Sequence, residues 1–192
     1  SALKEFKSLR KECHIPRMAF NLPPESLHHG EVAAQYHQLV KSAGFEAADI
    51  VIEVLESDYK NGHDLSVAIL NHFRLKGFGL SVDDFGTGYS SLDRISQIPV
   101  SGIKIDRRFV LEAQDDEIAR SIVRNTVHLA KELGVKTVAE GVENIGEWVL
   151  MRELGCDFIQ GYLVARPTIS SQFKTWMSNW EKNTEKSGML AG

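Results

Sequence analysis

The chain has few of the features that point quickly to a function. It has only two cysteines in 192 residues, Cys13 and Cys156, far apart. That excludes a disulfide scaffold and predicts reduced, buried thiols in a reducing compartment. No apolar run is long enough to cross a bilayer. The opening Ser1-Ala2-Leu3-Lys4-Glu5 lacks the apolar core of a secretory signal. The expectation is a cytoplasmic chain that inserts into no membrane itself, with any tether lying in other domains of a larger protein. An excess of positive charge is missing too. The net charge of -4 argues against a polymeric nucleic acid as partner. A small phosphate ligand survives that argument, because bound divalent cations reverse a local field. His28-His29 has no metal-type spacing to another ligand, and His37, His63, His72 and His128 are scattered. Gly86-Thr87-Gly88 lacks the further glycine and the Lys-Ser/Thr of a phosphate loop.

What is present is a rhythm. Helical apolar spacing occurs over residues 3–11, 32–43, 65–75, 115–133, 145–154 and 172–180. In the longest of these, Asp115 or Asp116 caps the start. Ile118, Ile122, Leu129 and Leu133 form its expected apolar face, widened by Ala119, Val123 and Ala130. Gly44, Gly77, Gly134 and Gly155 stand where a left-handed residue ends a helix, and a short apolar run follows each. Such alternation predicts a parallel α/β sheet. Six strands can be counted, against about eight in a closed βα-barrel. Either two strands precede this sequence, or an open barrel is completed by another chain. The domain is expected over residues 1–183, with a flexible tail at 184–192.

Each apolar run delivers a polar residue suited to metal or phosphate chemistry. The runs end on Asn21, Glu53, Asp83-Asp84, Lys104, Glu140 and Gln160. In a βα-barrel the active site is built from the C-terminal ends of strands. Asp83-Asp84 is the strongest local signal. Two adjacent like charges are costly unless cations or hydrogen bonds offset them, and hard divalent ions take carboxylate and amide oxygens. Adjacent strand residues point to opposite faces unless the chain turns, and Gly86 and Gly88 are expected to supply the turn. A helix cap within a loop explains the pair about as well. Glu53 lies in an apolar run where burial without a partner is expensive, so it reads as a metal ligand; a solvent-facing strand residue is the alternative. Glu56 is either an anchor for the loop at 85–91 or a surface charge. Lys104 and Asp106 alternate with Ile103 and Ile105 and share a face. Lys104 there orients a water, stabilises phosphoryl charge or pairs with a carboxylate. Arg107 and Arg108 read as a solvated helix start, less often as a phosphate clamp. Trp148, Trp176 and Trp180 read as packing.

The run Asp83 to Leu92 (DDFGTGYSSL), with Ile103-Lys104-Ile105-Asp106, Ala139-Glu140-Gly141-Val142-Glu143 and Gln160-Gly161-Tyr162-Leu163, resembles the EAL domain of bacterial cyclic di-GMP phosphodiesterases. The resemblance implies a TIM-like (β/α) barrel and a two-metal reaction with Mg²⁺ or Mn²⁺ that cleaves cyclic di-GMP to pGpG. It implies metal binding by Asn21, Glu53, Asp83 and Asp84, with Asp83 a candidate bridge. Lys104 would hold the attacking water or the phosphate, Glu140 and Gln160 would complete the metal and water shell, and Asp106 would meet substrate. Glu56 would brace the loop that begins at Phe85, and a homodimer is plausible on the same ground. Two departures stand out. The Glu-Ala-Leu strand that names the family is absent here, with its metal-binding glutamate and the substrate arginine that follows it. Leu55 stands where the family usually has threonine. A non-catalytic cyclic di-GMP receptor or protein-interaction module on the same fold is therefore the second reading.

Overall fold

The computed structural model describes residues 2–13, 15–59, 64–87, 95 and 98–187. Runs rich in valine and isoleucine make the strands, since branched side chains suit a pleated surface. These are β1 (Met18–Asn21), β2 (Ile50–Leu55), β3 (Gly79–Phe85), β4 (Gly102–Ile105), β5 (Lys136–Ala139) and β6 (Phe158–Ile159). The sheet follows chain order from β1 to β6, and every neighbouring pair is parallel. It is a curled half-barrel, as the helix–strand rhythm predicts. The helices are α1 (Ala2–Glu12), α2 (Val32–Ser42), α3 (Asp64–Leu75), α4 (Arg107–Glu112), α5 (Glu117–Leu133), α6 (Ile145–Leu154) and α7 (Ser170–Ser187). Among the described residues, no helix is long and apolar enough to cross a membrane.

One face of the sheet carries the core. Ile50, Ile52, Val54, Leu80 and Val82 pack with Leu27, Val32, Val40, Leu70 and Phe73. Further along, Ile105 and Ala139 pack with Phe109, Val110, Val123 and Met151. Burying such side chains supplies the main driving force, about 1.5–3 kcal/mol each. Strand alternation then sends the residues between them to the opposite, inner face. Asn21, Glu53, Asp83, Lys104, Glu140 and Gln160 all fall on that inner face, by their alternation with Phe20, Ile52, Val82, Ile105, Ala139 and Ile159.

Helix ends follow the expected chemistry. Asp116 caps α5 by accepting from the Ile118 amide at 2.9 Å. Asn144 and Glu147 form a reciprocal capping box on α6. All four punctuating glycines have positive φ. The apolar face of α5 follows the sequence expectation at Ala119, Ile122, Val123, Leu129 and Ala130 and departs from it at its two ends. Ile118 is 72% exposed and Leu133 38%, while Ala119, Val123, Thr126, Val127 and Ala130 are buried. Small and branched residues let this helix approach the sheet closely, and the longer side chains go to the rim. The last helix runs past the expected stretch at 172–180 to Ser187, crossing into the expected tail. Trp176 and Trp180 pack as expected, with Phe173 beside Trp176 and Trp176 stacked on Trp180. Both cysteines are free and half-buried. Most of the loop at 85–91, and His63, lie outside the described residues.

Candidate active site and metal centre

Lys104 sits at the centre of the inner face and is 5% exposed. Its ammonium lies 2.7 Å from Glu140 Oε1, 3.1 Å from Asp83 Oδ2 and 3.3 Å from Glu53 Oε2. Four strands thus contribute to one charge cluster: β2, β3 and β4, with Glu140 following β5. Three of these residues lie within strands rather than just after them. The register explains the convergence. Ile105 pairs with Ala139, so Glu140 comes alongside the end of β4, and its amide donates to the Ile105 carbonyl at 3.1 Å.

Asp84 joins the cluster by a route the sequence does not announce. Simple alternation would send it to the helix face. Instead Asp84 adopts φ 55, and the β3–β4 register shifts between Val82 and Phe85. Aspartate is among the few residues that enter the left-handed region readily. The turn is therefore made at Asp84 itself, ahead of Gly86, while Gly88 lies outside the described residues. As a result, carboxylate oxygens of Asp83, Asp84 and Glu140 lie within 4.8 Å of one another. Asp83 accepts from the Asp84 amide at 3.0 Å through Oδ1, leaving Oδ2 for Lys104.

The surroundings are equally specific. Glu56 is 1% exposed and accepts from the Gly86 amide at 2.8 Å, which ties the end of β2 to the turn after β3. Asp106 caps α4 by accepting from the Arg108 amide at 2.8 Å, and its charge disfavours that of Asp84. Leu55 pairs in register with Asp83. Asn21 is the register partner of Glu53 and is exposed. Gln160 lies beyond Lys104's reach and lines an open depression of about 250 Å³ with Glu140, Glu143, Arg107 and Tyr162. Gly161 permits this arrangement. A Cβ there would lie 2.2 Å from the Val142 carbonyl oxygen, so only glycine lets the Gln160 segment lie against the turn that holds Glu140. The sequence reads Arg107 as a solvated helix start, less often a phosphate clamp, and gives Tyr162 no role of its own. Only the placement of the 140–143 turn against α4 brings them to the site.

The electrostatics follow from burial. Burial pushes Glu140 up to about 7, against the pull of Lys104 and with help from Asp83. Burial also raises Glu53, opposed by Lys104. Asp84 is raised by burial and then by Asp83 and Asp106. Lys104 is held above its ordinary value, since its carboxylate partners outweigh the opposing effect of burial. It stays charged at any ordinary pH. Three hard oxygen donors this close, two of them disfavoured as anions by burial, suit a divalent cation.

A pH dependence follows for the metal-free chain. Glu53, Asp84 and Glu140 all have folded values above their unfolded ones, so the folded state binds more protons in between. Their contribution to stability is complete below the unfolded values and is lost as pH rises through the folded ones. Urea unfolding in EDTA should therefore give lower stability at pH 8 than at pH 5, by about 1–3 kcal/mol. Higher stability at pH 8 would contradict the cluster as described.

The comparisons with known proteins agree with this geometry. The EAL domain family matches residues 1–167. The cyclic di-GMP phosphodiesterase RocR of Pseudomonas aeruginosa is 36% identical over 161 residues, covering 84% of this chain and 41% of RocR. The cyclic di-GMP phosphodiesterase PdeR of Escherichia coli is 31% identical, over 86% of this chain and 25% of PdeR. The structure superposes on the EAL domain of Mycobacterium smegmatis DcpA with a TM-score of 0.85 at 29% identity, covering 93% of this chain and 80% of that one. It superposes on Klebsiella pneumoniae BlrP1, solved as a manganese and cy-diGMP complex, with a TM-score of 0.81 at 30% identity, over 88% of this chain and 43% of that one. The chain spans less than half the length of the curated relatives named here. On the match across most of its residues, the chain belongs to the EAL domain family.

Proposed function

We propose that this chain carries the metal-dependent centre of a phosphodiesterase that hydrolyses cyclic di-GMP to linear pGpG. One observation carries the reading: Glu53, Asp83 and Glu140 converge on Lys104, with Asp84 turned in beside them. The printed names of the relatives, cyclic di-GMP phosphodiesterases among them, support the substrate. Asp83, Asp84 and Glu140 are the residues to hold Mg²⁺ or Mn²⁺, with Glu53 and its register partner Asn21 serving a second ion. Bound there, the cations would lower the pKa of a water and offset charge on the phosphodiester.

The chain's own residues supply the rest. Lys104 is permanently charged and donates to whatever replaces its carboxylate partners, so it positions a water or a phosphoryl oxygen. It cannot act as a base. Glu140 keeps one oxygen on Lys104 and has another for the cation or its water. Gln160 offers an amide to the same space. Glu56 keeps the turn after β3 in place, and with it Asp83 and Asp84.

The second reading, a receptor that binds without cleaving, draws on Leu55, which puts an apolar side chain beside Asp83. One assay separates the two. Cyclic di-GMP is incubated with the chain and Mg²⁺ or Mn²⁺, and pGpG is measured. Metal-dependent appearance of pGpG is expected. Binding without any pGpG would make the receptor reading correct.

A further inference from the structure

Glu147, in the first turn of α6, is buried, and a carboxylate taken out of water is costly unless donors surround it. Three do. Its Oε2 accepts from the Glu143 amide at 2.6 Å and from the Asn144 amide at 3.3 Å, and its Oε1 accepts from Asn144 Nδ2 at 2.7 Å. A capping box asks of this carboxylate only the bond to the Asn144 amide, the longest of the three. The shortest goes to Glu143, which lies outside α6 in the turn after β5. The carboxylate is therefore aimed past the helix it caps.

That turn presents Glu140. Gly141 follows with φ 70, and glycine both allows the reversal and leaves the chain free to pivot there. The stem of Arg107 fills the space beside Gly141, where a Cβ would lie 2.1 Å from Arg107 Cγ. Its guanidinium pairs with Glu143, but both side chains are exposed, and such a pair holds a turn weakly. Backbone bonds fix the first half of the turn. The Glu140 amide donates to the Ile105 carbonyl and the Val142 amide to the Gln160 carbonyl, each at 3.1 Å. Among the described residues, the second half is held by Glu147, which takes the amides of Glu143 and Asn144 together. Glu147 is itself well anchored. It rides on α6, whose Met151 is fully buried in the core with Ile105 and Ala139.

We propose that Glu147 is a positioning residue for the metal centre: by holding the Glu143 and Asn144 amides, it sets where Glu140 stands against Asp83 and Asp84. The inference rests on the reading above that these three carboxylates bind the cation. With its own carboxylate occupied by the turn and the cap, Glu147 acts on the cation through Glu140.

The test is Mn²⁺ affinity by calorimetry, with melting in EDTA measured beside it. Glu147→Ala should melt lower and bind Mn²⁺ about tenfold more weakly, as when a group that orients a metal ligand is removed. Asn144→Ala removes the side-chain cap of α6 but leaves Glu147 on the Glu143 amide, so it should melt lower and keep the parent's Mn²⁺ affinity. Glu147→Gln retains an oxygen for both amides and should keep most of the affinity. In a Glu140→Gln chain, adding Glu147→Ala should change Mn²⁺ affinity no further, because the route through Glu140 is already gone. If Glu147→Ala does not fold, Glu147→Asp, one methylene short of both amides, replaces it with the same expectation. The inference is wrong if the Glu147 variant binds Mn²⁺ like the parent, if Asn144→Ala loses the same factor, or if the losses at 140 and 147 add. If the parent chain binds no Mn²⁺ at all, the metal reading fails first and takes this inference with it.

Discussion

Lys104→Ala is expected to cut turnover by at least about 10²–10³-fold, the loss typical of removing one preorganised electrostatic donor. Its effect on the metal-free fold should also be large. Lys104 is the counterion within reach of Glu53, Asp83 and Glu140, whose side chains are 14–15% exposed. Removing one partner of a buried ion cluster leaves uncompensated charge, at a cost of about 3–5 kcal/mol. Part of that cost is relieved because the carboxylates take up protons, and Glu140 already does so near pH 7. The variant should therefore melt lower than the parent in EDTA at pH 8, and by less at pH 5. Added Mn²⁺ should restore most of its stability, since a cation then does for the carboxylates what the ammonium did. Lys104→Met keeps most of the stem's packing and separates that term from charge. Turnover equal to the parent's would remove Lys104 from the chemistry. A melting loss that ignores both pH and Mn²⁺ would mean that packing, not charge, had been removed.

That experiment depends on features that were partly readable in the sequence. The six strand-end residues were legible because strand alternation has a period of two. An apolar residue facing the helices forces its neighbour inward, and Phe20-Asn21, Ile52-Glu53, Val82-Asp83, Ala139-Glu140 and Ile159-Gln160 all obey this. The position of Asp84 was not legible. Alternation alone places it on the wrong face, and its left-handed φ with the register shift beside it reverses the outcome. On α5, Ile118 and Leu133 were misread for a different reason, while Ala119, Val123 and Ala130 are buried as expected. Apolar periodicity ranks residues by size, but contact with a sheet selects residues short enough to let the helix approach, so Ala119 and Ala130 are buried and Ile118 is exposed. Arg107 and Glu143 stand 36 positions apart, and nothing local in either segment announces the pair. Only the close approach of Gly141 to the Arg107 stem reveals it.

Asp83→Asn and Asp84→Asn should both lose metal-dependent turnover, yet move the metal-free fold in opposite directions. Asp83 uses two oxygens, one accepting from the Asp84 amide and one from Lys104. Asparagine has one acceptor and one donor group, so either amide orientation turns an NH₂ towards another donor. Stability should fall, by about 1–3 kcal/mol for the partner left unsatisfied. Asp84 is different. Burial, Asp83 and Asp106 all disfavour its charge, so neutralising it relieves repulsion. Asparagine also tolerates the left-handed backbone at this position. Asp84→Asn should accordingly be as stable as the parent or more so in EDTA at pH 8. For both variants, Mn²⁺ affinity measured by calorimetry should drop by at least about 10–100-fold, because even groups that only support metal ligands cost that much when mutated. A metal site gains from charges that the empty fold must tolerate, so a variant that gains stability while losing metal identifies a residue kept for binding. If Asp84→Asn destabilises the metal-free chain as much as Asp83→Asn does, the carboxylate of Asp84 is structural, and the acidic cluster loses one of its ligands.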